Sequence, residues 1–464
     1  MSALLGPKLA IARVTAVAAK LRGGGGTTLP GKLLMRMDSE AIAALAARLP
    51  RGNAVVSATN GKTTTAAMAA SIFQRAGIAL VHNQAGANMA GGIASTLLAA
   101  AGPRGGISGE LGLFEVDEFW LDKLVPQLNP RVIVLGNLFR DQLDRYGELD
   151  TIAERWGAVV GSGGDGESAR LVCNADDPLV ADLGRERADV LYFGVNDGTL
   201  ALEGMAHAAD AKHCRRCGAP YVFDAVYLGH LGHYHCESCG RGRPSPTVLA
   251  RSVVLEGVRA ARFQLCTPEG EAEVSLSLPG LYNVYNALAA AAMAVAMGIP
   301  LRDIVDGLQQ TRAAFGRAET VTVDGRETRI LLVKNPAGAN EVLRTLALED
   351  GMHDMLGVLN DKTADGHDVS WIWDADFELL AGRVRHVTCS GTRAPELALR
   401  LKYAGIEPER ITMVEDLEKA LVGAVGNVLD RGDKAPLYVL PTYTGMLALR
   451  EQLVRRGEAS SSWL

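Results

Sequence analysis

The pattern of apolar and polar positions changes most abruptly where an apolar run ends at Val56. An alanine-rich helical pattern begins ten residues later and covers residues 66–76. The segment between them is small and polar and reads Ser57-Ala58-Thr59-Asn60-Gly61-Lys62-Thr63-Thr64. This succession predicts a strand, a tight loop and a helix. The backbone N–H groups of such a loop and the positive end of the helix form a site suited to phosphate.

The side chains of this loop have distinct expected roles. Lys62 is expected to reach the terminal phosphates of a nucleotide, and the Thr63 hydroxyl is expected to bind Mg²⁺. The full G-x-x-x-x-G-K-[ST] pattern is not met, because Val56 stands where its first glycine belongs. An ordinary strand–helix turn is the alternative interpretation, and the flanking strand and helix favour phosphate binding.

A second apolar run ends in carboxylates. Residues 112–118 place Glu115, Asp117 and Glu118 at the end of a short predicted strand, and residues 132–135 form another apolar run of the kind found in buried parallel strands. In a phosphate-loop protein, a carboxylate at the tip of a neighbouring strand supplies a further contact to Mg²⁺. Glu115 is the candidate for this contact, and a solvated acidic turn is the alternative.

The remaining pattern divides the chain into three parts. Residues 1–50 are predicted to be a helical segment, with helices over residues 3–22 and 39–49 and a loop over residues 27–32. Residues 51–311 are assigned to an α/β domain that contains the phosphate loop. In residues 312–464, apolar runs alternate with helical patterns, which predicts a smaller α/β domain with a mostly parallel sheet. Its predicted strands cover residues 328–333, 354–359, 386–389 and 437–440.

Composition excludes several classes of protein. The chain has 464 residues, enough for two or three domains, and 48% of them are hydrophobic while 22% are charged, which is typical of globular proteins. A net charge of −6 argues against a general nucleic-acid binder. No apolar run is long enough to span a bilayer, and basic residues interrupt the apolar N-terminus, unlike a signal peptide. A cytoplasmic protein is therefore expected.

Four of the seven cysteines form two C-x-x-C pairs within an insert at about residues 207–247. They are Cys214, Cys217, Cys236 and Cys239. This spacing predicts a zinc ribbon, and four thiolates would close a tetrahedral shell, so the expected role of the metal is structural. Neighbouring histidines could substitute as ligands but are expected to be surface residues; they are His213, His230, His233 and His235. The other three cysteines, Cys173, Cys266 and Cys389, are expected to be buried thiols.

The loop at residues 59–64, the strand end at Glu115 and the segment at residues 137–147 resemble the Mur ligases, which build the peptide stem of peptidoglycan. The resemblance implies an ATP- and Mg²⁺-dependent ligase. Two residues depart from the family pattern. Ala58 replaces the first glycine of the loop motif found in the Mur ligases, which is a different position from that of Val56 in the general phosphate-loop pattern. Gln142 replaces a histidine that helps to hold magnesium in the Mur ligases. Metal ligation is therefore expected to differ in detail.

The sequence is similar to one subgroup of this family, the MurT subunits of lipid II isoglutaminyl synthase, in three features. These are the cysteine ribbon, Gln142 and the short N-terminal segment. The resemblance implies ATP-dependent amidation of the D-isoglutamate α-carboxylate of lipid II at the membrane surface, through an acyl phosphate. Ammonia would come from a partner glutaminase subunit like GatD, in a heterodimer. The implied cofactors are ATP, Mg²⁺ and Zn²⁺.

The resemblance also implies roles for residues outside the loop. Asn283 and Asn286, one helical turn apart, could hold the adenine base or a neighbouring loop. Arg317 would approach the nucleotide phosphates at the junction between the ATP-binding domain, residues 51–311, and the C-terminal domain, residues 312–464. Residues 334–336 resemble an Asp-x-Ala-His-Asn-Pro motif that here lacks its histidine. Asp365 or Asp368, in that order, would orient the histidine of the partner glutaminase. The tryptophans beyond them could anchor an interface or pack in a core.

Two other functions are consistent with parts of the sequence. The first is a standard Mur-type ligase that adds an amino acid, against which stand Gln142 and the missing histidine beside Asn335. The second is a zinc-ribbon ATPase that binds nucleic acid. The acidic balance and the lack of a basic, aromatic-rich stripe argue against this second function.

Overall fold

The computed structural model describes residues 5–21, 28–83, 87–102, 106–141, 149–161, 169–204, 209–312, 317–429 and 435–459. The helices in these ranges are α1 Leu5–Leu21, α2 Leu29–Met37, α3 Ala41–Ala46, α4 Lys62–Arg75, α5 Ala90–Ala100, α6 Leu121–Leu128, α7 Leu149–Gly161, α8 Pro178–Leu183, α9 Leu281–Ala296, α10 Leu301–Gln310, α11 Pro336–Ala347, α12 Ala394–Tyr403, α13 Leu417–Leu429 and α14 Tyr443–Arg455. The strands are β1 Asn53–Ser57, β2 Leu80–His82, β3 Leu111–Glu115, β4 Val132–Leu135, β5 Arg170–Asn174, β6 Val190–Val195, β7 Val222–Leu228, β8 Leu231–His235, β9 Val248–Glu256, β10 Ala260–Thr267, β11 Gly270–Leu276, β12 Arg317–Val323, β13 Arg326–Leu331, β14 His353–Val358, β15 Val384–Ser390, β16 Ile411–Met413 and β17 Leu437–Pro441.

The larger sheet of the described chain has the strand order β11-β10-β9-β6-β5-β4-β1-β3-β2. The pairs from β2 to β9 are parallel, whereas β9, β10 and β11 pair in antiparallel fashion. Every residue of β1, β3 and β4 is buried, because helices cover both faces of the sheet. β1 lies between β3 and β4, so the loops that follow these three strands meet at one edge of the sheet.

Helix α9 fills the core beneath one face. It is apolar on nearly all sides, with seven alanines in a run of sixteen residues, and packs on α4 and on β4, β5, β6 and β9. The small side chains allow this close approach to the sheet. The opposite face is covered by α1, α3, α5, α6, α7 and α8. None of the described helices is both long enough and apolar enough to cross a bilayer.

The N-terminal prediction was wrong in one element. Residues 29–37 form α2, although a loop was predicted to extend to residue 32. Pro30 lies in the first turn of α2, where its missing N–H costs no intrahelical hydrogen bond. Gly31 lies against α5, and its N–H donates to Ser95 Oγ at 2.9 Å. The following helix, α3, is shorter than predicted and covers only Ala41–Ala46.

The C-terminal sheet of the described chain has the strand order β12-β13-β17-β14-β15-β16. All of its pairs are parallel except β12 with β13. The four strands predicted from sequence correspond to β13, β14, β15 and β17, and the edge strands β12 and β16 were missed. β16 is three residues long and mostly exposed, so its sequence carries little apolar periodicity.

The cysteine insert contains the antiparallel hairpin of β7 and β8. Its tight turn consists of Gly229 and His230, and the second C-x-x-C pair follows β8 directly. The cysteines therefore lie at one end of the hairpin and the turn at the other. Leu228 and Leu231, on either side of the turn, belong to the core beneath the larger sheet.

Candidate nucleotide site and cysteine cluster

The loop after β1 is shaped by Gly61. Its φ is +85°, which a residue with a side chain rarely adopts, and a Cβ there would lie 2.0 Å from Asn286 Oδ1. Helix α4 begins at the next residue, and Gly61 brings no side chain to cap its first turn. The N-terminal N–H groups of this fourteen-residue helix can therefore serve an external anion.

Lys62 points back into the site and is buried. Its Nζ donates to Ala58 O, to Thr59 O at 3.2 Å and to Glu118 Oε2 at 2.7 Å. Burial lowers the pKa of Lys62, but the carboxylates of Glu118, Asp117 and Glu115 outweigh burial and leave the pKa above its ordinary value. The lysine is therefore cationic across the physiological pH range.

Glu115 lies at the carboxyl end of β3, in register with Val56 of β1. Its Oε1 accepts a hydrogen bond from Asn88 Nδ2 at 3.1 Å. Asn83 fixes its backbone, since Asn83 Oδ1 accepts from Glu115 N at 2.9 Å and Asn83 Nδ2 donates to Glu115 O at 2.8 Å. This carboxylate is thus held beside the loop at the tip of the strand next to β1.

The segment after β4 braces the phosphate loop. Asn137 accepts from Asn60 N at 2.9 Å through Oδ1 and donates to Asn60 O at 3.0 Å through Nδ2. Thr59 N donates to Asn137 O at 2.9 Å, and Phe139 N donates to Thr59 Oγ1 at 3.0 Å. Four hydrogen bonds therefore fix two consecutive loop residues. Gln142 lies outside the described residues.

Asn283 and Asn286, in the first turns of α9, are buried. Asn286 Oδ1 accepts from Thr65 Oγ1 at 3.3 Å, and Asn286 Nδ2 donates to Asn283 Oδ1 at 3.1 Å. Asn283 Nδ2 in turn donates to Pro279 O at 2.7 Å. Asn286 thus joins α9 to the first turn of α4, and the two roles expected for this pair stay predictions.

Two residues of the C-terminal domain reach the same loop. Lys334 Nζ lies 2.5 Å from Asp141 Oδ2 and 3.4 Å from Thr59 O. Asn335 and Asn60 exchange two amide hydrogen bonds, of 3.0 and 3.3 Å. Asn335 Oδ1 also accepts from Gly338 N and so caps α11. The position that lacks the family histidine is thus occupied by a cation beside the loop.

The structure brings most of the predicted site residues together. Thr59, Asn60, Gly61, Lys62, Thr63 and Thr64 form the loop and the first turn of α4. Arg317 opens β12, and its side chain lies outside the described part of the chain. A helix start without a side-chain cap, a cationic lysine and a carboxylate at a strand tip are the groups that a nucleotide phosphate and Mg²⁺ require.

Sequence reasoning missed two partners of this site. Glu118 was counted among three carboxylates, but its ion pair with Lys62 was not predicted. The interdomain contacts of Lys334 and Asn335 were also missed. The pair Asn335-Pro336 before an apolar helical pattern indicates a helix cap. The second role of Asn335 is its hydrogen bonding to Asn60, which lies 275 positions away in the chain.

The four predicted zinc ligands form one cluster, in which every pair of Sγ atoms lies within 4.8 Å. Two of the distances are 3.6 Å, between Cys214 and Cys239, and 3.5 Å, between Cys217 and Cys236. Tetrahedral zinc with Zn–S bonds of about 2.3 Å requires Sγ atoms about 3.8 Å apart, so the donor set fits zinc.

Both knuckles of the cluster have the same backbone form. Gly218 N donates to Cys214 O at 2.8 Å, and Gly240 N donates to Cys236 O at 2.9 Å. Both glycines have positive φ, which permits the tight turn after the second cysteine of each pair. The expectation that His230 is a surface residue was wrong, because its side chain is fully buried. Cys173, Cys266 and Cys389 are buried, as predicted.

The segment between β14 and β15 contains Asp365 and Asp368. Asp365 is buried, and its carboxylate accepts from Thr444 N at 2.7 Å and from the Thr444 hydroxyl. Burial raises its pKa above the ordinary value despite these bonds. Asp368 is exposed, and hydrogen bonds from the hydroxyl and N–H of Ser370 hold its pKa below the ordinary value.

The two tryptophans of this segment differ in their surroundings. Trp371 packs against the core of the C-terminal domain. Trp373 is 50% exposed and lies 5.9 Å from the ring of Tyr403, which is 69% exposed. One tryptophan therefore packs in a core, and the other belongs to an exposed aromatic surface.

Comparison with known proteins places these features in a family. Residues 56–226 match the family described as the Mur ligase middle domain, and residues 332–446 match the family described as MurT ligase C-terminal. The MurT subunit of lipid II isoglutaminyl synthase from Streptococcus pneumoniae is 33% identical over 436 residues, 94% of each chain. The same subunit from Staphylococcus aureus strain N315 is 31% identical over 453 residues, 97% of this chain and 98% of the relative.

Solved structures share the fold at lower sequence identity. A pseudomurein peptide ligase type C from Methanothermus fervidus has a TM-score of 0.66 and 23% identity, with 88% of this chain and 79% of that chain covered. A MurF structure from Acinetobacter baumannii has a TM-score of 0.65 and 20% identity, with 93% and 81% covered. These likenesses confirm the predicted Mur-ligase-like α/β fold with its separate C-terminal domain, and the cysteine cluster is consistent with the predicted ribbon. With about a third of its residues identical to a MurT subunit over nearly its whole length, the chain belongs to the MurT family of Mur ligases and is an ATP-dependent ligase.

Proposed function

We propose that the chain amidates the α-carboxylate of D-isoglutamate in the peptide stem of lipid II. The observation that carries this proposal is the similarity to MurT subunits over nearly the full length of both chains. The match of residues 332–446 to a MurT-specific C-terminal family supports it, since this domain would distinguish amidation from the addition of an amino acid.

The loop after β1 is the proposed site of the nucleotide phosphates. Residues 59–64 would hold them, with Thr63 and Glu115 as ligands of Mg²⁺ and Arg317 as a further phosphate contact. When bound, ATP would supply the γ-phosphoryl group that converts the acceptor carboxylate into an acyl phosphate, with ADP as the leaving group, and Mg²⁺ would neutralise the phosphate charge. Ammonia then attacks the acyl carbon, phosphate leaves with its bonding electron pair, and the nitrogen loses a proton to give the carboxamide.

The contribution of this chain to that reaction is positioning and charge. Lys62 is buried and cationic, so its interaction with a developing negative charge is stronger than it would be in water. Lys334 adds a second cation 3.4 Å from Thr59 O. The hydrogen bonds between Asn335 and Asn60 hold the C-terminal domain against this loop.

The proposed source of ammonia is a glutaminase partner of the GatD type. Asp368 is the better candidate to orient the histidine of that partner, because its carboxylate is exposed, whereas that of Asp365 is buried and bonded to Thr444. The exposed pair of Trp373 and Tyr403 lies in the same part of the domain and would offer an aromatic anchor for the partner.

Mass spectrometry of a lipid II acceptor tests the proposal. The purified chain is incubated with the acceptor, ATP, Mg²⁺ and either ammonium or glutamine. We expect conversion of one carboxylate to a carboxamide with ammonium and none with glutamine, since the proposed partner, and not this chain, would hydrolyse glutamine. Ligation of an added amino acid without amidation would contradict the proposal and favour a standard Mur ligase.

We propose that the cysteine cluster holds a structural Zn²⁺. Burial disfavours the thiolate of Cys214, but backbone N–H groups of Cys217 and Arg216 favour it and lower its pKa to about 6. Elemental analysis of the purified chain is expected to give one zinc per chain. Cys236→Ser should lose the metal and lower the melting temperature, whereas the matched change Cys266→Ser should keep it. Full zinc content in Cys236→Ser would contradict the assignment.

A further inference from the structure

The turn of the β7–β8 hairpin lies against the segment that braces the phosphate loop. The His230 side chain is fully buried, and its ring centroid lies 4.6 Å from that of Phe139. The backbone of Gly229 approaches the same ring so closely that a Cβ there would lie 2.8 Å from Phe139 Cε1. The two residues of the turn thus form one side of the pocket that holds Phe139.

Phe139 connects this turn to the phosphate loop. Its N–H donates to Thr59 Oγ1 at 3.0 Å, and the same hydroxyl donates to Phe139 O at 3.3 Å. Thr59 is 2% exposed, and its carbonyl oxygen accepts from Lys62 Nζ at 3.2 Å. A displacement of Phe139 would therefore move Thr59 through the hydrogen bonds between the two residues. Movement of Thr59 O would in turn shift the amine of Lys62, which donates to it.

Asp177 fixes the same arrangement from a second side. Its Oδ2 accepts from Leu138 N at 2.9 Å and lies 3.4 Å from His230 Nε2. Its Oδ1 accepts from the first N–H groups of α8, Leu179 N and Val180 N. The segment at residues 138–139 is thus held between a capped helix and the hairpin turn.

We propose that the hairpin turn Gly229-His230 of the cysteine ribbon positions the phosphate loop for nucleotide binding, acting through Phe139. The turn would thereby connect the cysteine ribbon to the nucleotide site, although the cysteines lie at the other end of the hairpin. The inference rests on the proposed use of the loop for ATP, but not on the identity of the acceptor. Gly229 and His230 are positioning residues, because they act on the loop through their contacts with Phe139.

The test compares alanine substitutions at two glycines that both have positive φ. Gly229→Ala places a methyl group against Phe139 at a residue with φ of +58°. Gly325→Ala is the matched control, because its φ is +80° and its Cβ position is open. Binding of Mg²⁺ with a non-hydrolysable ATP analogue is measured by calorimetry, without acceptor. We expect Gly229→Ala to weaken binding about tenfold relative to Gly325→Ala, with equal zinc content.

A second substitution separates positioning from folding. Phe139→Leu shortens the side chain against which the methyl group of the Gly229→Ala variant would clash. The double variant Gly229→Ala/Phe139→Leu should therefore bind the analogue more tightly than Gly229→Ala alone. Phe263→Leu, in the core at β10, is the control for loss of a buried ring and should leave analogue affinity unchanged. If Gly229→Ala fails to fold, Phe139→Leu against Phe263→Leu decides the question.

Either of two results would overturn the inference: equal analogue affinity of Gly229→Ala and Gly325→Ala, or equal affinity of Phe139→Leu and Phe263→Leu. Ammonium-dependent amidation is measured on the same proteins. Tight analogue binding by the unmodified chain without amidation would contradict the proposed function alone, whereas unequal affinities among the variants would still support the role of the turn.

Discussion

Lys62 is the residue on which the proposed phosphoryl transfer depends most. Its amine is held by two loop carbonyl oxygens and by Glu118, and three nearby carboxylates keep it charged. In the structure, Glu118 is the anionic partner of this amine, at 2.7 Å. Binding of a nucleotide would therefore exchange one anionic partner of the lysine for another.

Lys62→Gln is expected to lower the rate of ammonium-dependent amidation by at least about a hundredfold, because one preorganised cation is lost at the developing charge. The measurement is kcat at saturating ATP. Lys8→Gln is the control, since Lys8 also pairs with a carboxylate, that of Asp38, but lies away from the loop. A kcat of Lys62→Gln equal to that of the control would remove Lys62 from the mechanism.

Glu341 in α11 is buried, and burial raises its pKa from 4.5 to about 6 even though Arg344 opposes this effect. A carboxyl whose pKa is higher in the folded state stabilises the fold fully below pH 4.5, and this stabilisation is lost as pH rises through about 6. Glu341→Gln should therefore raise the free energy of unfolding by about 1–2 kcal/mol at pH 7.5 and little at pH 4.5.

Urea unfolding of Glu341→Gln and the unmodified chain at both pH values checks this expectation. Glu327→Gln serves as a control, because Glu327 also pairs with an arginine but is largely exposed. Parallel pH profiles for Glu341→Gln and the unmodified chain would show that the carboxyl titrates alike in the folded and unfolded states.

At the scale of elements, the start of α11 joins the C-terminal domain to the phosphate loop. Lys334 pairs with Asp141, and Asn335 both caps the helix and exchanges hydrogen bonds with Asn60. Lys334→Met and Asp141→Asn should each lower the free energy of unfolding, while the double variant should be no worse than either. A coupling free energy of about 1 kcal/mol is expected for this partly buried pair.

The exposed pair of Arg262 and Glu256 is the control for that double-mutant cycle, with an expected coupling free energy near zero. Strictly additive effects of Lys334→Met and Asp141→Asn would mean that the ion pair does not stabilise the contact between the domains.

Local sequence predicted those elements whose signals lie within one segment. The strand, loop and helix at residues 53–75 follow from the apolar pattern and the small polar segment within it, and the two cysteine knuckles follow from the C-x-x-C spacing. Helix α2 was missed because Thr28, Pro30 and Gly31 are typical of a turn, while its stability comes from packing on α5. The edge strand β16 was missed because it is short and mostly exposed.

Contacts between distant segments could not be predicted in the same way. The ion pair of Lys62 with Glu118 and the contact of His230 with Phe139 join residues 56 and 91 positions apart. Neither pair is marked by periodicity or spacing, since such contacts depend on strand order. The resemblance to Mur ligases pointed to the loop, to the segment at residues 137–147 and to Asn286, but not to Glu118 or His230.

At the scale of the whole molecule, the exposed face of the C-terminal domain should serve the partner. Asp368→Asn is expected to lower the ratio of glutamine-dependent to ammonium-dependent amidation at least about tenfold in the complex with the glutaminase, because its histidine would lose an orienting carboxylate. Both rates are measured on the same complex. Asp374→Asn, a change of another exposed aspartate nearby, is the control.

An unchanged ratio in Asp368→Asn, together with a lowered ratio in Asp365→Asn, would transfer the role to the buried carboxylate. Loss of the complex in size-exclusion chromatography would instead mark Asp368 as an interface residue, so the assembly of each variant is checked first.

The central claim is that this chain activates a carboxylate of lipid II by phosphoryl transfer from ATP. The most direct measurement uses an acceptor whose D-isoglutamate α-carboxylate carries a heavy-oxygen label, with ammonium as nitrogen donor. If the carboxylate becomes an acyl phosphate, one labelled oxygen appears in the inorganic phosphate released with each carboxamide. Carboxamide formation with only unlabelled phosphate, or no phosphate release at all, would contradict the account.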